Sequence, residues 1–322
     1  MKEITVETLY YENKKRLKLS ILNNDNGFDK VINEPELHRP GLALSGFVEV
    51  FTFSRVQIIG NTELAYLETL DSTKREASLR KLLEFDLPCL IITDNNIPPQ
   101  ELIDIANERK ITILRSVFST THVIQILSNF LEDKFAPYTT IHGSMVDVYG
   151  IGVLLTGRSG IGKSEIALDL VERGHRLVAD DIVQIKRQTE GILIGSGSEV
   201  LQHHMEIRGI GIIDIRNIFG IRGIRLKKRI EVEVHLEDWE ESKDYERVGL
   251  DERTSSYLDT KIPLINLPIF PGKNVTVIIE SIALNETLKN YGFHTAKEFN
   301  EKLIQKMQSS TDVKDYLFYD LE

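Results

Sequence analysis

The chain has 322 residues, 41% of them hydrophobic, with 39 basic and 49 acidic side chains and a net charge of −10. That length suits two domains with real cores, and that charge disfavours broad contact with the backbones of DNA or RNA. No apolar run approaches the about 18 residues of a membrane span, Met1-Lys2-Glu3-Ile4-Thr5 is no signal peptide, and the single Cys89 cannot form an internal disulfide, so a soluble cytoplasmic protein is expected.

In the first part of the chain, Leu90-Ile91-Ile92-Thr93 predicts a strand closed by the Asp94-Asn95-Asn96 turn. Pro98-Pro99 then opens a helix through Leu102, Ile103, Ile105 and Ala106. Ile111 to Leu114 reads as the next strand. Ser119-Thr120-Thr121 can cap a helix whose apolar face is Val123, Ile124, Ile126, Leu127 and Phe130. Strand, helix, strand, helix predicts a small N-terminal α/β domain with parallel pairing over residues 1–134. Glu132 to Thr140, containing Pro137, reads as the linker to a second domain over residues 135–322.

The second part carries Gly157-Arg158-Ser159-Gly160-Ile161-Gly162-Lys163-Ser164, which fits the phosphate-loop pattern G-x-x-x-x-G-K-[ST] at every fixed position. Val153, Leu154 and Leu155 before it predict a buried strand, and Glu165 to Arg173 after it predicts a helix stopped at Gly174. Such a loop gathers backbone N–H groups, a helix N-terminus and a lysine around one anion. All eight residues are candidate nucleotide ligands, with Lys163 aimed at the outer phosphates and Ser164 at Mg²⁺. Arg176 to Ala179 predicts a strand delivering Asp180-Asp181 to the same sheet edge, where the pair could hold Mg²⁺ or accept a proton. Ile182 to Lys186 and Ile192 to Ile194 predict a hairpin around Glu190-Gly191. Arg229 to Leu236 alternates strictly and predicts a half-buried strand, and Val275 to Ile279 predicts another. Thr295 to Met307 predicts an amphipathic helix on Phe299, Leu303 and Ile304.

Other residues carry possible chemistry. His142, in His142-Gly143-Ser144, could touch phosphate or tune a neighbouring acid, or simply mark a turn. In Glu206-Ile207-Arg208-Gly209-Ile210-Gly211-Ile212-Ile213-Asp214-Ile215, Glu206 offers a hard metal ligand and Arg208 a phosphate fork, and a surface ion pair fits equally. Arg247 could stabilise charge on a transferring phosphoryl group or be an ordinary surface residue. Pro268-Ile269-Phe270-Pro271-Gly272-Lys273 could be a loop reaching the site or a connector. Arg216, Arg222, Arg225, Lys227, Lys228 and Arg229 form a basic cluster, read as a solvated face. His203-His204 lacks further ligands at zinc spacing.

Taken together, His142 to Gly150, the phosphate loop, Gly174 to Asp181, Glu206 to Ile215 and Pro271 to Asn274 resemble the bacterial HPr kinase/phosphorylase family, as do Arg39 to Leu42 and Arg55 to Gln57. The resemblance implies a phosphate-loop kinase domain with a nucleotide site like that of phosphoenolpyruvate carboxykinase. It implies an ATP- and Mg²⁺-dependent serine kinase of HPr, the small phosphocarrier protein of sugar uptake. It also implies the reverse reaction, with inorganic phosphate entering and pyrophosphate leaving. By that resemblance Asp181 would exchange the serine proton, and His142, Lys163 and Arg247 would complete the catalytic set. Ser164 and Glu206 would hold Mg²⁺. Glu206 to Ile215 would serve both reactions, with Asp180 alongside, and Pro268 to Lys273 chiefly dephosphorylation. Family members are homo-hexamers, and no nucleic acid or membrane partner is implied. Arg158 departs from the family pattern, which usually has aspartate there. A carboxykinase-like enzyme acting on a metabolite and a nucleotide-sensing regulator without catalysis are the alternatives.

Overall fold

The computed structural model describes residues 3–188, 191–198, 201–240, 253–270 and 272–319, with side chains as far as Met307. The chain divides into two compact units, Met1–Ala136 and Pro137–Glu322.

The first unit runs β1 (Ile4–Thr5), α1 (Val6–Leu17), β2 (Ser20–Ile21), β3 (Val31–Ile32), β4 (Leu37–His38), α2 (Gly41–Leu44), β5 (Val56–Ile59), α3 (Asn61–Thr69), α4 (Ser72–Leu83), β6 (Cys89–Ile92), α5 (Gln100–Glu108), β7 (Thr112–Arg115) and α6 (Thr120–Phe135). Its main sheet has the order β2-β7-β6-β5-β4, with β4 to β7 parallel and β2 antiparallel at the edge. The central strands are buried throughout, as parallel strands with helices on both faces must be. Leu64, Leu79, Leu83, Leu102 and Ile105 of α3, α4 and α5 share one core with Ile59 and Ile92. Leu9 of α1 and Val123 and Leu127 of α6 share the other with Ile58 and Ile91. Cys89 lies in that second core, where burial pushes its thiol up to about 12, so it behaves as a small hydrophobe.

The second unit runs β8 (Tyr138–His142), β9 (Ser144–Val148), β10 (Ile151–Gly157), α7 (Lys163–Glu172), β11 (Arg176–Ala179), β12 (Ile182–Gln188), β13 (Ile192–Gly197), β14 (His204–Ile207), β15 (Gly211–Asp214), α8 (Ile215–Phe219), β16 (Lys227–Arg229), β17 (Val232–Asp238), β18 (Thr254–Tyr257), β19 (Thr260–Ile269), α9 (Val275–Asn290) and α10 (Thr295–Tyr319). A six-stranded sheet has the order β11-β9-β10-β17-β19-β18, and a four-stranded sheet the order β16-β13-β12-β8. Val146, Val153, Leu155 and Val234 of the larger sheet pack with Leu170 of α7 and Ile279 of α9. Met145 and Leu154 pack with Val183, Ile185 and Leu193 of the smaller sheet. Among the described residues, no helix is long and apolar enough to cross a membrane.

The chain passes directly between these two sheets at Ile230-Glu231, between β16 and β17, and at two places near the phosphate loop, Gly143 between β8 and β9, and Asp180-Asp181 between β11 and β12. Gly143 donates its N–H to the Asp181 carbonyl at 3.1 Å, so the two crossings are tied together. Gly143 is needed there: a Cβ would stand 2.6 Å from the Leu155 carbonyl oxygen. Because β9 is antiparallel to both β10 and β11, those two strands run the same way. Asp180-Asp181 and the phosphate loop therefore emerge at one edge, although β9 lies between their strands.

Three sequence expectations differ from the structure, the first being the linker Glu132 to Thr140: α6 runs to Phe135 and β8 begins at Tyr138, so only Ala136-Pro137 lies between elements. Val275 to Ile279 is the first turn of α9, not a strand. Asn274 Oδ1 accepts from the Val277 N–H at 3.2 Å, and Val275, Ile279 and Ala283 recur at helical spacing on the buried face. Capping and packing there override the strand preference of a β-branched run. The alternating stretch Arg229 to Leu236 is split between β16 and β17, and β17 is central, between β10 and β19. Its polar face is covered as well, leaving Glu233 only 5% exposed.

Candidate active site

The phosphate loop joins β10 to α7, with Gly157, Gly160 and Gly162 at φ of 136°, 77° and 103°. These are backbone states open mainly to glycine. Gly157 also permits close approach, since a Cβ would meet the Leu236 carbonyl oxygen at 2.5 Å. Lys163 Nζ donates to the carbonyls of Gly157 and Arg158, both at 3.0 Å, and so lies across the loop it serves. Ile161 anchors the loop in the α7 core, while Ser159 and Gly160 are exposed.

Ser164, in the first turn of α7, donates from Oγ to Asp180 Oδ1 at 3.0 Å, and Ser144 Oγ donates to the same oxygen at 2.5 Å. Asp180 is 3% exposed, and its other oxygen, Oδ2, is buried with no hydrogen-bond partner. Burial pushes this carboxyl above the usual carboxylate range. The Ser144 and Ser164 hydroxyls and the backbone N–H groups of Asp181 and Glu206 oppose that push, though neither N–H bonds to Oδ2. A bare buried carboxylate oxygen costs free energy. Beside a serine hydroxyl at a phosphate loop, it is a hard-oxygen donor set that fits Mg²⁺. Among the described residues no three His, Cys, Asp or Glu side chains gather as a protein cage.

Asp181 follows with φ of 63°, a left-handed state that aspartate tolerates. It turns out of the core and is 57% exposed, 3.7 Å through Oδ1 from Nδ1 of the exposed His142. The two adjacent aspartates thus divide: one is buried against Ser164, the other is presented to solvent beside a histidine.

Glu206 and Arg208 come from the β14–β15 hairpin. Glu206 is exposed, with its N–H toward Asp180. Arg208 lies in the turn, where its guanidinium nitrogens stand 2.7 Å and 2.9 Å from where a Gly160 Cβ would be. That brings a second cation onto the loop, and it explains why position 160 has no side chain. Gly209 and Gly211 hold the turn at φ of 85° and 95°. Ile207 and Ile215 are buried, Ile213 is partly buried, and Ile210 and Ile212 are 71% and 70% exposed. Asp214 caps α8, accepting from the Asn217 N–H at 3.0 Å, so its side chain is engaged locally.

Lys273 Nζ donates to the Pro268 carbonyl at 3.0 Å and sits 5.2 Å from the centroid of the Phe270 ring. Ile269 ends β19, and Gly272 has φ of 86°. Arg247 and Pro271 lie outside the described residues, as does Glu190 of the expected turn. Arg158 is held by Asp238 at the end of β17, Nε to Oδ2 at 2.6 Å and Nη2 to Oδ1 at 2.9 Å. The guanidinium is thereby turned toward β17. Part of the basic cluster is structural too: Arg225 pairs with the buried Asp147, and Lys228 with Glu231.

Thr156 and Ser144 beside the site, and Glu233 and His235 on β17, carry polar contacts that sequence reasoning did not single out. The signal in the sequence was only an acid and a histidine, Glu233 and His235, at alternate positions of an alternating run; the pairing of that run with the strand that ends in the phosphate loop appears in the structure alone.

Two family models cover most of the chain: the HPr Serine kinase N terminus at residues 4–131 and the HPr Serine kinase C-terminal domain at residues 133–303. The chain is 51% identical over 298 residues to the HPr kinase/phosphorylase of Prosthecochloris aestuarii, covering 92% of this chain and 88% of that relative. It is 47% identical over 316 residues to that of Chloroherpeton thalassium, covering 98% and 93%. A solved structure of the Hpr(Ser) kinase/phosphatase from Coxiella burnetii is 35% identical, with a TM-score of 0.45, covering 51% of this chain and 99% of that one. With nearly its full length matched, the chain belongs to the HPr kinase/phosphorylase family.

Proposed function

We propose that this chain moves the γ-phosphoryl group of ATP to a serine of HPr, and removes it again by attack of inorganic phosphate, releasing pyrophosphate. The observation that carries the reading is the division of labour between the two adjacent aspartates. Asp180 is buried on Ser164 with one oxygen bare, and Asp181 is exposed beside His142. Ser164 and Asp180 would hold Mg²⁺, with Glu206 nearby, and the cation supplies charge neutralisation at the outer phosphates when bound. Asp180 is an addition to the Ser164 and Glu206 pair expected from resemblance.

Phosphoryl transfer asks the protein mainly for position and charge. The loop N–H groups and Lys163 receive the phosphates, and the Arg208 guanidinium on Gly160 adds a cation where negative charge spreads. Asp181 accepts the proton as the serine oxygen bonds to phosphorus and the bond to the ADP oxygen breaks. In the other direction a phosphate oxygen bonds to the phosphoserine phosphorus. The bond to the serine oxygen breaks, and Asp181 returns the proton to that oxygen. His142, 3.7 Å from Asp181, would orient it. Arg247 and the Pro268–Lys273 loop are assigned by family likeness, as are a homo-hexameric working unit and a cytoplasmic location. Neither nucleic acid nor a membrane is invoked.

The test is to incubate the chain with HPr, Mg²⁺ and γ-³²P-labelled ATP. Label is expected on a serine of HPr, to be released as pyrophosphate once inorganic phosphate is added. Labelling of a metabolite with HPr untouched, or intact ATP after long incubation, would contradict the reading.

A further inference from the structure

Behind the phosphate loop lies a polar group that the reaction above leaves unused. Glu233 of β17 is 5% exposed, far from the usual lot of a carboxylate in a central strand. Thr156 Oγ1 donates to its Oε1 at 2.6 Å, and Tyr257 OH donates to its Oε2 at 3.0 Å. Burial, and then the charge of Glu233, push the Tyr257 phenol well above its ordinary range, so it stays a donor. Thr156 Oγ1 also lies 3.0 Å from Nδ1 of His235.

The proton count of this chain of contacts has one solution. In the contact with Glu233 Oε1 the Thr156 hydroxyl is the donor. The threonine hydroxyl has a single proton, and it goes to Glu233. Toward His235 the same oxygen can then only accept. The imidazole must therefore carry its proton on Nδ1, whether or not Nε2 is also protonated.

Position gives this locked group a task. Thr156 pairs with His235 across β10 and β17, and the next pair is Gly157 with Leu236. Gly157 opens the phosphate loop, pressed onto the Leu236 carbonyl. On its other side, Thr156 Cγ2 stands 3.8 Å from where a Gly143 Cβ would be, and Gly143 bonds to the backbone of Asp181. Thr156 is thus the side chain between the start of the phosphate loop and the crossing that carries His142 and Asp181.

We propose that Glu233, Thr156 and His235 form a hydrogen-bonded relay that fixes His235 as its Nδ1–H tautomer, and that Thr156, held by that relay, is a positioning residue that sets the phosphate loop against Asp181. The role rests on Asp181 being the base, while the tautomer does not. A misplacement of about 1 Å between reacting groups can cost on the order of a hundredfold in rate. The relay acts on transfer, not on ATP capture, because the loop N–H groups and Lys163 do not belong to it.

The experiment has two arms on the full chain. In the first, ¹⁵N-histidine-labelled protein is studied by magic-angle-spinning NMR at about pH 8.5, above the free imidazole value near 6.5. The His235 signal is assigned by its loss in His235→Gln. A protonated Nδ1 with a bare Nε2 is expected, and Thr156→Val is expected to abolish that preference. An Nε2–H tautomer in the unaltered protein overturns the proposal whatever the enzyme's substrate is. In the second, Thr156→Val keeps the branched shape and removes the hydroxyl, and Thr156→Ser restores it. We expect Thr156→Val to lower kcat by at least about tenfold with the KM for ATP unchanged, and Thr156→Ser to recover most of it. Equal loss in both variants, or a rise in KM alone, overturns the positioning role. Absence of HPr phosphorylation by the unaltered chain instead removes the functional reading and leaves the first arm intact.

Discussion

Both units carry polar clusters where strands end, and the two clusters differ in how their hydrogen bonds close. In the first unit, Gly60 follows β5, Thr93 follows β6 and Thr120 opens α6. Glu63 Oε2 accepts from the Gly60 N–H and from Arg39, both at 2.9 Å. Thr93 and Thr120 hydroxyls meet at 2.6 Å, and both also reach Asp94 Oδ2 at 3.1 Å. Every partner is internal, and a Cβ on Gly60 would strike Thr120 Oγ1. In the second unit, Asp180 has one oxygen bonded twice and the other not at all. A buried polar cluster that satisfies itself holds a fold together. At Asp180 the bare acceptor lies beside the phosphate-loop serine, where a ligand can reach it, and that position sets it apart from the bare oxygen of Asp147.

Substitutions can sharpen or break that contrast. The largest effect is expected for Asp181→Asn, which should lower phosphoryl transfer by about 10²- to 10⁴-fold, as for a lost general base. Calorimetry should show ATP binding retained, and full transfer activity would remove Asp181 from the base role. Next comes Glu63→Ala in the self-satisfied cluster. Loss of the capping contacts should cost about 1–2 kcal/mol in denaturant unfolding, with kcat unaltered, and a large fall in kcat would erase the distinction between the clusters.

Glu280 supplies a pH test. Arg173, through two hydrogen bonds, and then the buried His175 hold its carboxyl down to about 2 from an ordinary 4.5. A carboxyl lowered by folding adds stability above its unfolded pKa. That contribution should fade as pH falls from 4.5 toward about 2. Glu280→Gln should lower the melting temperature at pH 7 and flatten its decline across this window. An undiminished slope would place the acid sensitivity elsewhere. The smallest effect belongs to Arg158→Ala. Its pair with Asp238 is exposed on both sides, and such pairs add little, so thermal melting should not change measurably.

Much of the catalytic unit was legible because local signals agreed with the fold. The phosphate loop, the strand ending at Asp180-Asp181 and the hairpin of β12 and β13 each have a short-range signature, and each stands where expected. Capping and glycine placement act over a few residues, so they can be read from a few residues. The rest depends on distant partners. Nothing in Asp180-Asp181 tells which of the two turns inward; Ser144 and Ser164 decide that across three elements. The alternation of β17 suggested one wet face, and only its place between β10 and β19 shows Glu233 buried on Thr156 and Tyr257. The β-branched run at Val275 looked like a strand because its cap and its core contacts lie outside the run. Arg158 could not be interpreted until Asp238 appeared beside it.

The bare oxygen of Asp180 is the centre of the proposed Mg²⁺ site. The most direct test is the affinity of Asp180→Asn for ATP with and without Mg²⁺, together with its melting temperature without Mg²⁺. We expect the Mg²⁺-dependent gain in affinity to shrink by at least about tenfold, as for a lost charged ligand, and the Mg²⁺-free protein to melt no lower than the original. An unchanged Mg²⁺ dependence with a lower melting temperature would show Asp180 to be a structural residue like Glu63, and would contradict the account.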